Sequence, residues 1–278
     1  MAILSSGQPQ AFVQGHRGCR GLMPENTVPA FVHAIELGVV ILELDVVISA
    51  DSVPVVSHEP WFNHLFTTLP NGLPLTKENE HSHNIYTLSY EEIKRYDVGL
   101  RTHPGYPTQK SVPTHKPALS EVFDAVEKLK PGEIWYNIEI KRRKEWDNFY
   151  HPPAALFVQL VIDEIQKYDL QNRIIIQSFD HESLIYVKKN YPAIKTAILV
   201  EDLRAPRQHL EILGFTPDIY SPNYKLIDQG VVAELKLLGM NVVPWTVNDV
   251  EAAQKLISYN VDGIISDYPD RILSLIRE

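Results

Sequence analysis

Apolar and polar positions are most informative in the stretch Glu43–His58, ELDVVISADSVPVVSH. Read as a strand, it puts Leu42 and Leu44 on one face and Glu43 and Asp45 on the other. Two carboxylates on one face of an otherwise apolar strand call for a metal, a base or a polar cavity, because unpaired burial is costly. The segment turns at Ser49–Ser52 and returns as Val53–Ser57, too soon for a parallel crossover, so it reads as a hairpin. The expected register sets Val47 opposite Pro54 and Glu43 opposite His58, which brings an imidazole to the carboxylate pair.

The same patterning organises the rest of the chain. Strand-like runs fall at Phe12–His16, Val40–Val47, Ile134–Ile140, Arg173–Ser178, Lys195–Val200, Asp218–Ser221, Asn241–Thr246 and Gly263–Ser266. Helical periodicity occupies Thr27–Leu37, Leu119–Leu129, Ala154–Tyr168, His181–Asn190, Arg207–Leu213, Gln229–Leu238, Val250–Tyr259 and Arg271–Ile276. Asp180 and Asn248 are candidate N-caps, and Gly38 and Gly239 stand at helix ends. Eight alternating units predict an α/β fold, a (β/α)8 TIM barrel, forming one catalytic domain over 1–278. A doubly wound sheet is the competing architecture, but no GxGxxG follows a strand. Residues 59–117 break the rhythm with seven prolines and an Asn71-Gly72 turn. Only Ser89–Tyr96 reads as a helix there, with Ser89 and Glu92 placed for a capping box. This is expected to be a small inserted subdomain directly after the hairpin, acting as a lid or substrate selector. His81 and His83 within it share a face if extended, but spacing supplies no third zinc ligand.

Composition narrows the function. At 278 residues with a net charge of −9, the chain is large enough for a substantial core and unsuited to nucleic acid, which demands a basic surface. The lone Cys19 excludes an intrachain disulfide and reads as a small buried residue rather than a nucleophile. No apolar run reaches membrane-spanning length, and Met1–Gln10 lacks the basic and apolar regions of a signal peptide. As written the chain reads as cytoplasmic with no stable membrane anchor; removal of a leader would make it periplasmic or secreted.

In a parallel barrel, chemistry sits at the C-terminal strand ends. The first strand ends in His16-Arg17-Gly18, the second carries Glu43 and Asp45, and the third runs Asn137-Ile138-Glu139-Ile140-Lys141. Glu43, Asp45 and Glu139 make a three-carboxylate set on neighbouring strands, and an all-oxygen set selects one hard divalent cation, Mg2+ or Ca2+; the alternative is that each is paired with a barrel Lys or Arg. His16 and His58 are candidates to trade protons as base and acid, while Arg17 and Lys141 are candidates to neutralise an anion. Those parts suit phosphoester cleavage. Trp245, at a strand end, is a candidate wall for the substrate pocket.

The motifs His16-Arg17-Gly18, Pro24-Glu25-Asn26-Thr27, Glu43-Leu44-Asp45-Val46, Pro54-Val55-Val56-Ser57-His58, Glu139-Ile140-Lys141, Gln177-Ser178-Phe179, Trp245-Thr246-Val247-Asn248 and Gly263-Ile264-Ile265-Ser266-Asp267 together resemble the glycerophosphodiester phosphodiesterase family, in order from Phe12 to Pro269. The resemblance implies hydrolysis of a small-molecule glycerophosphodiester to glycerol 3-phosphate and an alcohol. It implies metal at Glu43, Asp45 and Glu139, catalysis by His16 and His58, and phosphate at Arg17 and Lys141. Glu25 and Asn26 would support the ligands from behind, with Phe179 joining Trp245 at the pocket. It also suggests that the neighbouring glycerol hydroxyl can act as nucleophile through a cyclic phosphate. Glu59 stands where Asp is expected in such sequences. The alternatives are a related barrel phospholipase acting on whole lipids, and a non-catalytic metal-stabilised phospho-polyol binding protein.

Overall fold

A computed structural model describes residues 11–277; Met1–Gln10, read above for a leader, and Glu278 lie outside the described residues. The strands are β1 (Phe12–Gly15), β2 (Ile41–Ile48), β3 (Pro54–Val56), β4 (Trp135–Ile140), β5 (Ile174–Ser178), β6 (Lys195–Val200), β7 (Ile219–Pro222), β8 (Asn241–Val242) and β9 (Gly263–Ser266). The helices are α1 (Val28–Leu37), α2 (Tyr90–Ile93), α3 (Leu119–Leu129), α4 (Ala154–Lys167), α5 (His181–Asn190), α6 (Pro206–Leu213), α7 (Gln229–Leu237), α8 (Val250–Ser258) and α9 (Pro269–Arg277). The parallel order is β8-β7-β6-β5-β4-β2-β1-β9, with β3 antiparallel to β2. Three backbone bonds close the ring between its ends: Asp262 N to Val242 O, Ile265 N to Pro244 O and Val247 N to Ile265 O. The eighth strand is shorter than the expected Asn241–Thr246 because Pro244 has no N–H to donate.

Strand alternation places the core where the sequence set it. Leu42, Leu44, Ile138 and Ile140 face outward into the layer beneath the helices, with Phe31, Phe123 and Phe157. The inner faces carry Ile175, Ala197, Ile219, Val243 and Ile265 low in the barrel and polar side chains above them. Helix α1 shows how local signals fix an element: the Thr27 side chain accepts from Ala30 N, and Gly38 ends the helix at φ 96°.

Three local expectations need correction. The hairpin pairs Val47 with Val55 and Ile48 with Pro54, one residue from the expected register. Ser52 adopts φ 64° inside the turn, which absorbs a residue and ends the ladder before His58. Helix α2 spans only Tyr90–Ile93 of the expected Ser89–Tyr96, although the Ser89–Glu92 capping box is present. Asp249, not Asn248, caps α8 by accepting from Ala252 N; the Asn248 side chain is used elsewhere.

The excursion between β3 and α3 has its own apolar cluster of Phe62, Phe66, Leu75, Ile85 and Ile93, packed on Val47 and Val55 of the hairpin. Within it, residues 80–82 form a single 3-10 turn, so His81 and His83 diverge: His81 lies against Trp61 and His83 Nδ1 bonds Tyr96 Oη. The excursion is also tied to the barrel loops. Gln109 donates to Arg20 O at 2.7 Å and Met23 O at 2.8 Å, and buried Lys116 donates to Ser57 Oγ at 2.7 Å. Deleting Trp61–Lys116 would strip the cover from Val47 and Val55 and cut these ties. The unfolding midpoint is expected to fall by roughly 10 °C, given a few kcal/mol of lost burial. Thermal unfolding checks this, and a midpoint within about 2 °C of the parent would show a separable unit.

Candidate active site

Four strand ends converge on one cavity. Just past β1, His16 Nδ1 lies 2.6 Å from Asp267 Oδ1, and its Nε2 lies 4.0 Å from Glu43 Oε2. Arg17 follows at φ 50°, which turns its backbone N–H onto Glu43 Oε2 at 2.8 Å. Its guanidinium donates through Nη1 to Glu25 Oε1 at 2.7 Å and sets Nε 3.3 Å from Asp45 Oδ2. Asn26 donates to Asp45 Oδ2 at 2.8 Å, and Thr27 caps α1. The Glu25-Asn26-Thr27 run thus has three tasks: holding Arg17, holding Asp45 and starting a helix.

The β2–β4 register pairs Asp45 with Glu139 and Glu43 with Asn137, so the acids of the two strands lie side by side. Glu43, Asp45 and Glu139 are buried and offer oxygens all within 4.8 Å of one another. Lys141 Nζ sits 2.8 Å from Glu139 Oε1 and 3.8 Å from Asp45 Oδ1. Behind the trio runs an amide row: Asn137 donates to Gln14 and Gln177, and Gln177 donates to Glu43 Oε1 at 2.8 Å. On the far side of the trio, His58 Nδ1 is held by Glu59 Oε1 at 2.9 Å. The cavity over these groups measures about 540 Å³ and is walled by Phe179 and Trp245 on one arc and Trp61 and Trp146 on another. Phe179 and Trp245 meet edge to face at 5.5 Å.

The sequence and fold are similar to those of known proteins. The family model for the glycerophosphoryl diester phosphodiesterase family matches residues 16–271, the span from His16 to beyond Asp267. The chain belongs to that family. A glycerophosphodiester phosphodiesterase of Caldanaerobacter subterraneus is 32% identical over 269 residues, covering 97% of this chain and 99% of its own. One from Bacillus altitudinis is 30% identical over 267 residues, covering 95% and 97%. The crystal structure of a Silicibacter pomeroyi protein assigned to this activity superposes with a TM-score of 0.88 at 28% identity, over 98% of this chain and 95% of that one. The protein is accordingly a glycerophosphodiester phosphodiesterase, a phosphoric diester hydrolase.

The electrostatics of the candidate site follow from crowding. Burial, then Asp45 and Glu139, push the Glu43 carboxyl well above the usual range. Burial raises Glu139 to about 7 even with Lys141 beside it. Burial acts on Asp45 too, but Arg17, His58 and Lys141 outweigh it and hold Asp45 well below the ordinary value. The His16 imidazole is lowered to about 4 by burial, only partly offset by Asp267, so it is neutral at pH 7. Burial, then Arg17 and Lys141, lower His58 as well. Counted together, Glu25, Glu43, Asp45, Glu59, Glu139 and Asp267 face only Arg17, Arg20, Lys116 and Lys141 as permanent cations. Were all six ionised they would exceed these cations by two charges, and the upward shifts of Glu43 and Glu139 are the response of the crowded site to that excess.

Several residues of the candidate site escape sequence reasoning. Asp267 orients His16 and also accepts from Arg20, Tyr106 and Asn248, while Glu59 orients His58. Each imidazole thereby keeps Nδ1 on a carboxylate and Nε2 toward the cavity. Period-2 patterning could flag the interior position of Gln177; nothing in spacing announces Asp267, 251 residues from His16. Cys19 is buried, its thiol on Ala30 O and its pKa pushed up to about 12 by burial, which leaves it inert.

Proposed function

We propose that the enzyme hydrolyses glycerophosphodiesters to glycerol 3-phosphate and an alcohol, using one divalent cation, Mg2+ or Ca2+, held by Glu43, Asp45 and Glu139. The observation that carries this reading is the pair of imidazoles, each locked by its own carboxylate, flanking a trio of buried acids crowded enough to raise the carboxyls of Glu43 and Glu139. An all-oxygen donor set so crowded fits a hard dication. Such an ion supplies Lewis-acid stabilisation of charge on the phosphoryl oxygens.

The protein groups then divide the work. Glu139 would hold the cation, and Lys141 Nζ, 2.8 Å from Glu139 Oε1, would then be free to bond a phosphoryl oxygen. Arg17 stays anchored on Glu25 through Nη1 and turns Nη2, which makes no hydrogen bond among the described residues, to the same group. Phe179 and Trp245 wall the glycerol arm. Neutral His16, beside Glu43, takes the proton of the attacking hydroxyl as its oxygen bonds to phosphorus. His58, loaded as the imidazolium that Asp45 and Glu59 favour, donates its Nε2 proton to the departing alkoxide as the other ester bond breaks. Where the glycerol hydroxyl attacks, a cyclic phosphate results, and water opens it with the two histidines in exchanged roles.

A substrate panel tests this reading. Glycerophosphocholine, glycerophosphoethanolamine, glycerophosphoglycerol and glycerophosphoinositol are each assayed for glycerol 3-phosphate with EDTA, Mg2+ or Ca2+. Release from at least one diester with cation, and a drop of at least about a hundredfold with chelator, is expected. Full activity in excess chelator would remove the cation from the mechanism.

A further inference from the structure

A phosphodiester has two arms, and the cavity has two aromatic walls. Phe179 and Trp245 follow β5 and β8. Trp61 and Trp146 stand on the β2–β4 arc, 5.7 Å apart between ring centroids and edge to face at 62°. They come from separate segments, Trp61 from the start of the excursion and Trp146 from the 3-10 turn Lys144–Trp146 after β4. The two segments are bolted together before any ligand arrives. Trp61 bridges to Asn84, whose buried side chain donates to Phe149 O at 2.8 Å, and Tyr150 packs on both indoles at 5.2 and 5.3 Å. A wall fixed in this way loses little entropy on binding.

Two neighbouring arginines beside the wall differ in status. Arg142 is buried and shared among Asp147, Asp180 and Glu182. Arg143 is exposed, lines the cavity and makes no ion pair among the described residues. Its guanidinium lies over the Trp146 ring, 4.8 Å from the centroid. A face of that indole is therefore occupied by a cation, while the N–H groups of the guanidinium remain available to hydroxyls. Glu201, the exposed carboxylate of the cavity lining, follows β6 on the other arc and leaves this charge uncompensated.

We propose that Trp61, Trp146 and Arg143 form the subsite for the departing alcohol, and that this alcohol is an uncharged polyol of the glycerol or cyclitol class rather than a quaternary ammonium alcohol. The proposal rests on the diester hydrolysis set out above and adds the identity of the second arm. The C–H face of a polyol packs on Trp61, and its hydroxyl oxygens accept from the Arg143 guanidinium that covers Trp146. A trimethylammonium group would compete for the indole face that Arg143 covers and would stand beside an unpaired positive charge.

The test is kcat/KM on glycerophosphoglycerol, glycerophosphoinositol and glycerophosphocholine, at saturating cation, for the parent and for Arg143→Ala, a substitution at an exposed side chain. The parent should prefer both polyol diesters to the choline diester by about tenfold or more. In Arg143→Ala the preference should shrink to within about threefold, polyol rates falling and the choline rate rising. Inhibition by sn-glycerol 3-phosphate should be the same in both proteins, because that product has no second arm. A parent that favours the choline diester, or a preference unchanged by Arg143→Ala, overturns the subsite. No turnover of any of the three by the parent would overturn the diester reading and the subsite with it, an outcome visible before any variant is made.

Discussion

Glu139→Gln is expected to lower kcat/KM on a glycerophosphodiester by about a thousandfold or more while leaving the cation-free protein at least as stable as the parent. The two halves of this expectation have one cause. Glu139 sits buried against Asp45 and Glu43, and its carboxyl is raised to about 7. An acid whose folded pKa exceeds its unfolded value ionises more readily in the unfolded chain. The cation-free protein thus loses stability as pH rises from the ordinary glutamate range through about 7. Glutamine removes that liability without removing volume, and Lys141 keeps Asp45 at 3.8 Å. With the cation present the sign reverses. A ligand that binds only the folded state adds about 2.7 kcal/mol at a hundred times its Kd, and the variant forgoes most of this. Melting curves at pH 8, with chelator and then with Mg2+ or Ca2+, read out both terms apart from activity. A parent whose midpoint is indifferent to both cations would sink the three-carboxylate site, as would an active Glu139→Gln.

The histidine variants carry the second large effect. His16→Ala and His58→Ala should each cost about 10²–10⁴ in kcat on an alkyl diester, the usual range for one positioned acid or base. Their losses should separate when the leaving group changes. An aryl leaving group such as p-nitrophenolate departs with little need of a proton, so loss of the acid costs far less on an aryl diester than on an alkyl one. Loss of the base costs about the same on both. His58 is assigned the acid because the chain runs from it through Glu59 and Pro60 to Trp61, the wall given to the departing alcohol. His16 is assigned the base because it is neutral at pH 7 and lies deeper, beside Glu43. His58→Ala should therefore recover on the aryl substrate and His16→Ala should not. Equal losses on both substrates would refute the division and leave the imidazoles a positioning role.

Much of this site was legible because strands alternate. Glu43, Asp45, Glu139 and Lys141 declare themselves by standing on the polar face of otherwise apolar strands, and the β2–β4 register joins them. His16 and His58 are placed by the strand ends they follow. What the sequence hid are contacts between residues distant in the chain, and local turns that shift a register by one. Ser52 at φ 64° moved the hairpin pairing, yet His58 still reached the site because Ser57 N bonds Asp45 O at 2.9 Å beyond the ladder. Arg17 read as a phosphate ligand from its charge, and the structure spends half of its guanidinium on Glu25 and Asp45. Asn248 had the composition of an N-cap, but its amide serves Asp267.

On the proposed mechanism Asp267 also sets when the molecule can first work. Its carboxylate gathers His16 from the start of the chain, Tyr106 from the excursion and Asn248 from the segment after β8. A ribosome delivers it last, after every other group at the site has emerged. Until then His16 has no carboxylate to fix its tautomer, and β1 has no β9 to pair with at Phe12–Gly263. Nascent chains that stop short of the ninth strand are thus expected to be inert even with both histidines and all three acids in place. Closure of the ring and arming of the first histidine are one late, long-range event in the life of the polypeptide.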